Sequence, residues 1–173
     1  MKKGWIQLYT GDGKGKTTAA TGLALRALGS GFRILFVQFM KSVPSAEVEM
    51  LGRCGGEDIV ILREWDDSFI IGRPSERQLE MARHLWSETM THLKSFRPDL
   101  LVLDEIAVAI RYGLVEESVV LAFLRNKPES VEVVMTGQQA SRALIDAADL
   151  VTEMRKIKHY YDRGVMARKG IEY

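Results

Sequence analysis

Gly11 to Thr18 reads Gly-Asp-Gly-Lys-Gly-Lys-Thr-Thr. Alternating glycines let backbone N–H groups turn toward an anion without Cβ clashes. Lys16 supplies a mobile positive charge for phosphate oxygens. The Thr17 hydroxyl is the kind of group that touches a phosphate-bound magnesium ion. Gly11, Asp12, Gly13, Lys14, Gly15, Lys16, Thr17 and Thr18 are therefore the candidate nucleotide contacts. The stretch follows an apolar, strand-like run from Trp5 to Tyr9 and leads into an Ala/Leu-rich helical pattern. A helix starting there adds free N–H donors and a partial positive charge.

The spacing departs from the common form, in which four residues separate glycine from Gly-Lys-Ser/Thr. Here three separate Gly11 from Gly15, and Thr10 stands where the first glycine would be. A shorter loop closes around fewer oxygens, so a triphosphate should sit in it differently. A dinucleotide fingerprint fits poorly, because the pattern is G-x-G-x-G-K and no acid follows Val37-Gln38-Phe39. The second half of the site is Asp104-Glu105, which closes the apolar run Leu100 to Leu103. A carboxylate at such a strand end holds magnesium, or manganese, opposite the loop threonine. The pair could instead cap the following helix. No Ser-His-Asp or Cys-His set appears, and Cys/His metal spacing is absent. Chemistry here must lean on nucleotide, metal and a second substrate.

These residues need a scaffold that brings strand ends together. Apolar runs at Arg33 to Phe39, Ile59 to Leu62, Leu100 to Leu103, Val131 to Met135 and Leu150 to Met154 read as strands. Helical patterns fall between them. Pro74-Ser75 opens a long one, with Ser75 and Gln78 as a capping box and Leu79, Ala82, Trp86, Met90 and Leu93 as its apolar face. Ser141 caps another, through Ala148. Alternation of this kind predicts an α/β fold with a mostly parallel sheet and helices on both faces. Ligands bind beyond the carboxyl ends of such strands, where Gly11 to Thr18, Gln38 to Lys41, Asp104-Glu105 and Thr136 to Gln139 all fall.

The 173 residues suffice for one domain, with 155–173 as a basic, aromatic tail. A net charge of +1 gives no overall nucleic-acid signature. No apolar run is long enough for a bilayer, and no signal peptide follows Met1-Lys2-Lys3, so a cytoplasmic location away from membranes is expected. The lone Cys54 is expected to be a small packed residue, and His84 and His92 surface residues. Two functions remain open on these grounds: a small ATPase or kinase, and a nucleotide-switched binding module.

Several stretches together resemble the P-loop type ATP:corrinoid adenosyltransferases. The shortened loop through Ala20, Val37-Gln38-Phe39-Met40-Lys41, Val102-Leu103-Asp104-Glu105, Thr136-Gly137, Ala148 to Met154 and the tail Lys158-His159 through Gly170-Ile171-Glu172-Tyr173 carry the likeness. It implies a RecA-like P-loop NTPase fold and transfer of the 5′-deoxyadenosyl group of ATP to cobalt(I), releasing triphosphate. It also implies a homodimer, no nucleic acid, a reduced corrinoid as partner, an electron donor such as a flavoprotein, and a tail near the active site or subunit interface. Lys16, Thr17 and Glu105 would be catalytic, with Thr17, Asp104 and Glu105 on the metal and Lys41 and Gln138 on ATP. The family's arginine after Thr-Gly is here Gln138, and Arg142 is a candidate substitute. Its Phe-x-Trp corrinoid pair, in the segment matching 66–71, is missing. Trp65 and Phe69 stand nearby, either on the corrinoid or as packing residues.

Overall fold

The computed structural model describes residues 3–42, 45–66 and 68–172. Met1 and Lys2, the residues behind the expectation of no signal peptide, and Tyr173 of the tail lie outside them. Among the described residues six strands form one sheet: β1 (Ile6–Thr10), β2 (Ile34–Gln38), β3 (Ile59–Arg63), β4 (Leu100–Asp104), β5 (Glu132–Thr136) and β6 (Leu150–Glu153). The spatial order is β3-β2-β4-β5-β1-β6, and every pairing is parallel. Among the described residues six α-helices connect them: α1 (Lys16–Leu28), α2 (Ala46–Gly55), α3 (Glu76–Ser95), α4 (Ile106–Arg111), α5 (Glu117–Asn126) and α6 (Arg142–Ala147).

The two-residue period of a strand decides which side chains meet which helices. Ile34, Phe36, Leu100, Val102 and Val134 pack on α1 and α2 through Ala20, Ala24, Val48 and Leu51. Leu35, Val37, Leu101, Leu103, Val133 and Met135 face the other way, toward Leu85, Ile106, Val120 and Leu144. The central strands β2, β4 and β5 are thus covered on both faces, as parallel strands commonly are, while the edge strand β6 is exposed.

Helix α1 buries alanines, so its backbone lies close to the sheet. Helix α3 begins at the Ser75–Gln78 capping box, with both reciprocal bonds present. Its buried line is Gln78, Ala82, Leu85, Thr89 and Leu93. Trp86 and Met90, expected inside, are only partly covered. Burial of the line's polar members is permitted by hydrogen bonds: Thr89 Oγ1 donates to Leu85 O at 2.7 Å and Gln78 Nε2 to Ser68 Oγ at 2.9 Å. Cys54 is exposed rather than packed, because α2 buries the Val48–Leu51 side and Cys54 falls off it. Gly55 ends α2 and Gly56 opens a one-turn 3-10 segment. Helix α6 stops at Ala147, one residue short of the expected end.

Candidate active site

Strand register levels the polar ends of the sheet. Gln38 pairs with Asp104, Leu103 with Met135, and Tyr9 with Thr136. Thr10, Gln38, Asp104 and Thr136 are all buried there. Asp104 is the hub of this layer. Its Oδ1 accepts from Thr17 Oγ1 at 2.9 Å and from Thr136 Oγ1 at 2.7 Å, and its Oδ2 accepts from Gln38 Nε2 at 3.2 Å. Those donors keep a fully enclosed carboxylate hydrogen-bonded, which burial otherwise makes costly. The Thr17–Asp104 bond closes the loop-to-strand gap that the sequence places 87 residues apart.

Glu105 follows in a left-handed conformation, φ 62°, with its N–H donating to Thr136 Oγ1 at 2.9 Å. It stands at the helix-cap position of α4, yet its side chain makes no cap bond. The capping alternative is therefore not realised. Burial, and then the neighbouring Asp104 charge, push the Glu105 carboxyl up, while Lys41 and Lys16 pull it partly back. A non-glycine residue held at positive φ beside a buried acid is the sort of strain that accumulates at working sites.

Gly15 adopts φ 114° at the foot of α1, which only glycine takes cheaply. Gly11 and Gly13 are needed for a second reason. A Cβ on either would lie 2.3 Å or 2.7 Å from Met154 O. The loop leans on the chain leaving β6, and Gly13 N donates to Met154 O at 2.7 Å. Lys16 Nζ folds onto the carbonyls of Gly11 and Gly13, at 2.9 and 2.7 Å, and burial lowers its pKa. A lysine lying on its own loop is ready to exchange carbonyls for a stronger anionic partner.

These groups share one cleft of about 460 Å³. Asp12, Gly13, Lys14, Gly15, Lys16, Thr17 and Thr18 form one side; Lys41, Glu105 and Gln138 form another. The expected nucleotide residues therefore meet, apart from Gly11, which lies behind the loop against Met154. Asp104 lies beneath the floor. Sequence reading missed further lining residues: Ser45, Ala46 and Glu47 at the start of α2, and His159, Gly170, Ile171 and Glu172 of the tail. No local motif marks the first group; the tail likeness marked the second only as near the site.

The other expected residues lie elsewhere. Arg142 is paired with Asp146 on α6 at 2.9 Å and does not line the cleft, so it replaces no phosphate contact there. Trp65 packs against the core, its Nε1 donating to Ser68 O at 3.2 Å. Phe69 is 89% exposed and so is no packing residue. Neither aromatic lines the nucleotide cleft. His84 is exposed beside Glu64, while His92 is half-buried over its own helix. Among the described residues no cluster of three or more His, Cys, Asp or Glu forms a metal site, and no helix is long and apolar enough to cross a membrane.

The family described as ATP:corrinoid adenosyltransferase BtuR/CobO/CobP matches residues 2–173. The chain belongs to this family. A corrinoid adenosyltransferase of Sinorhizobium sp is 34% identical over 174 residues, covering 99% of this chain and 81% of that one. The Pseudomonas aeruginosa protein of the same name is 33% identical, covering 99% and 85%. The corrinoid adenosyltransferase CobA of Salmonella typhimurium is 35% identical, covering 99% and 87%. Among solved structures, a KaiC-like protein of Pyrococcus horikoshii OT3 superposes with a TM-score of 0.56 at 20% identity, over 87% of this chain and 73% of that one. That likeness concerns the fold alone, and it agrees with the parallel P-loop sheet of this adenosyltransferase family member.

Proposed function

We propose that this chain transfers the 5′-deoxyadenosyl group of ATP to the cobalt(I) of a corrinoid, releasing triphosphate, in cobalamin biosynthesis or salvage. The observation that carries the reading is the shortened loop facing Glu105 across a cleft, in a chain whose family match runs nearly end to end. Reduced cobalt is its own nucleophile, and its alkylation releases no proton. The protein's task is then to stabilise a leaving triphosphate as the C5′–O bond breaks. Lys16 and the loop N–H groups would take that charge, with Lys41 and Gln138 at the rim.

Thr17, Asp104 and Glu105 would hold magnesium, an all-oxygen set suited to that hard cation. The buried Oε1 of Gln38, beside Asp104, has no hydrogen-bond partner, and a metal-bound water would supply one. Bound magnesium would add Lewis-acid stabilisation of the leaving oxygens. The proposal includes two copies of the chain working as a homodimer, a flavoprotein-type electron donor and a cytoplasmic setting. Sedimentation of the purified chain checks the first of these.

The deciding experiment mixes the protein with ATP, magnesium and a cobalt(I) corrinoid and identifies the phosphorus product by ³¹P NMR. Triphosphate with a new cobalt–carbon bond is expected; ADP and phosphate alone would sink the reading. Lys16→Ala should lower the rate by about a hundredfold or more, the usual worth of one oxyanion donor.

A further inference from the structure

The two loop lysines do different things. Lys16 lies on the loop's own carbonyls. Lys14 Nζ reaches away from it, donating to Ile171 O at 2.7 Å, Glu172 Oε1 at 3.1 Å and the Tyr160 hydroxyl at 3.2 Å. Glu172 is in turn gripped by Arg168, whose N and Nη2 donate to it at 2.7 and 3.2 Å, and by the Tyr160 hydroxyl. Arg168 first, and Tyr160 next, hold its carboxyl far below the ordinary carboxylate range. Two further bonds tie the same loop to the same segment. Asp12 Oδ1 accepts from Lys156 N at 2.9 Å, and Gly13 N donates to Met154 O. Positions 12, 13 and 14 thus each hold the chain beyond β6.

That chain has little else to fix it. Among the described residues its only regular element is the turn Tyr160–Arg163, and Ile157 and Met166 are 85% and 70% exposed. With no core of its own, its place is set by these polar ties. Yet His159, Gly170, Ile171 and Glu172 line the cleft that holds Lys16 and Glu105. His159 Nδ1 accepts from Tyr161 N at 3.1 Å, so a neutral ring carries its proton on Nε2 and offers a donor. Glu172 can face an anion site because Lys14 and Arg168 offset its charge.

We propose that residues 156–172 form the outer wall of the nucleotide pocket, and that Lys14 and Glu172 are the positioning pair that seats this wall on the loop. Lys14 acts through Glu172 and not on phosphate. The inference rests on the ATP reading above, and its test separates the two. ATP affinity is measured by calorimetry with magnesium and without corrinoid, for the wild type, Lys14→Met, Glu172→Gln and the double variant. Each single change is expected to weaken ATP by about tenfold, and the double variant to lie within about twofold of the weaker single, since members of one link are not additive. Trypsin should cut the 156–172 segment faster in both single variants and other sites at the wild-type rate. If Lys14→Met costs the same factor in the Glu172→Gln background, Lys14 touches phosphate and the inference falls. Wild-type tail cleavage in both single variants overturns it as well. A wild-type protein that binds no ATP would instead overturn the nucleotide reading, and the wall with it.

Discussion

At the residue scale the site is a set of compromises centred on Glu105. Its backbone is left-handed, its carboxyl is buried, and an acid adjoins it. Burial and Asp104 raise its folded pKa above the ordinary value of 4.5. The folded state therefore binds this proton more tightly than the unfolded chain does. Below the ordinary value both states are protonated and the residue costs nothing. As pH rises through the folded value the carboxylate must ionise in place, and stability is lost. Glu105→Gln removes the ionisation and keeps the shape. With a chelator present, the variant should melt above the wild type at about pH 8, and the two should converge at about pH 4. Thermal unfolding at both pH values checks this. A wild type that is the more stable at the higher pH would mean that Lys41 and Lys16 overcompensate the burial.

At the element scale the glycines of the loop and its helix divide by cause. Gly22 lies in the exposed interior of α1, and a Cβ added there would meet nothing within 4 Å. Gly22→Ala should stabilise by about 1 kcal/mol, a rise of roughly 2–4 °C in melting temperature for a chain of this size. Gly11→Ala meets Met154 backbone at 2.3 Å and needs φ 97°, so it should unseat the loop from the β6 exit and lower the melting temperature. Paired melting curves test both, and a stabilised Gly11→Ala would show that the loop does not lean there. Sequence patterns made most elements legible. Continuous Val/Ile/Leu runs marked the buried strands within a residue or so, and Ser75–Gln78 and Ser141 marked their helices. The α3 face was legible in part: Ala82 and Leu93 are buried and Leu79 and Trp86 pack against the core, but Gln78 and Thr89 are polar and yet buried, and their hydrogen bonds leave no trace in hydrophobic periodicity.

At the scale of the whole molecule, the floor of the site was legible and its wall was not. Loop and acid advertise themselves by type and spacing, and parallel topology brings their strand ends level. The wall depends on Lys14–Glu172 and Asp12–Lys156, pairs separated by 158 and 144 residues. No local pattern records such distant ties. Their consequence can be read at the two edges of the sheet. β3 and β6 each have one neighbour, β2 and β1 respectively. Only β6 continues into the residues that hold the loop, through Met154 N on Thr10 O at 2.8 Å and Gly13 N on Met154 O. An opening that frees β6 also dismantles the ATP site; an opening that frees β3 leaves it whole. A ligand slows only those openings that abolish its binding, by a factor near one plus the ratio of ligand to Kd. At ATP about a hundredfold above Kd, amides of β6 should exchange up to about a hundredfold more slowly, while locally opening amides of β3 keep their rate. Hydrogen exchange with and without ATP reads this directly. Equal protection of both edges would show that the sheet opens only as a unit, and unchanged β6 would show that the loop binds nucleotide without the strand it leans on.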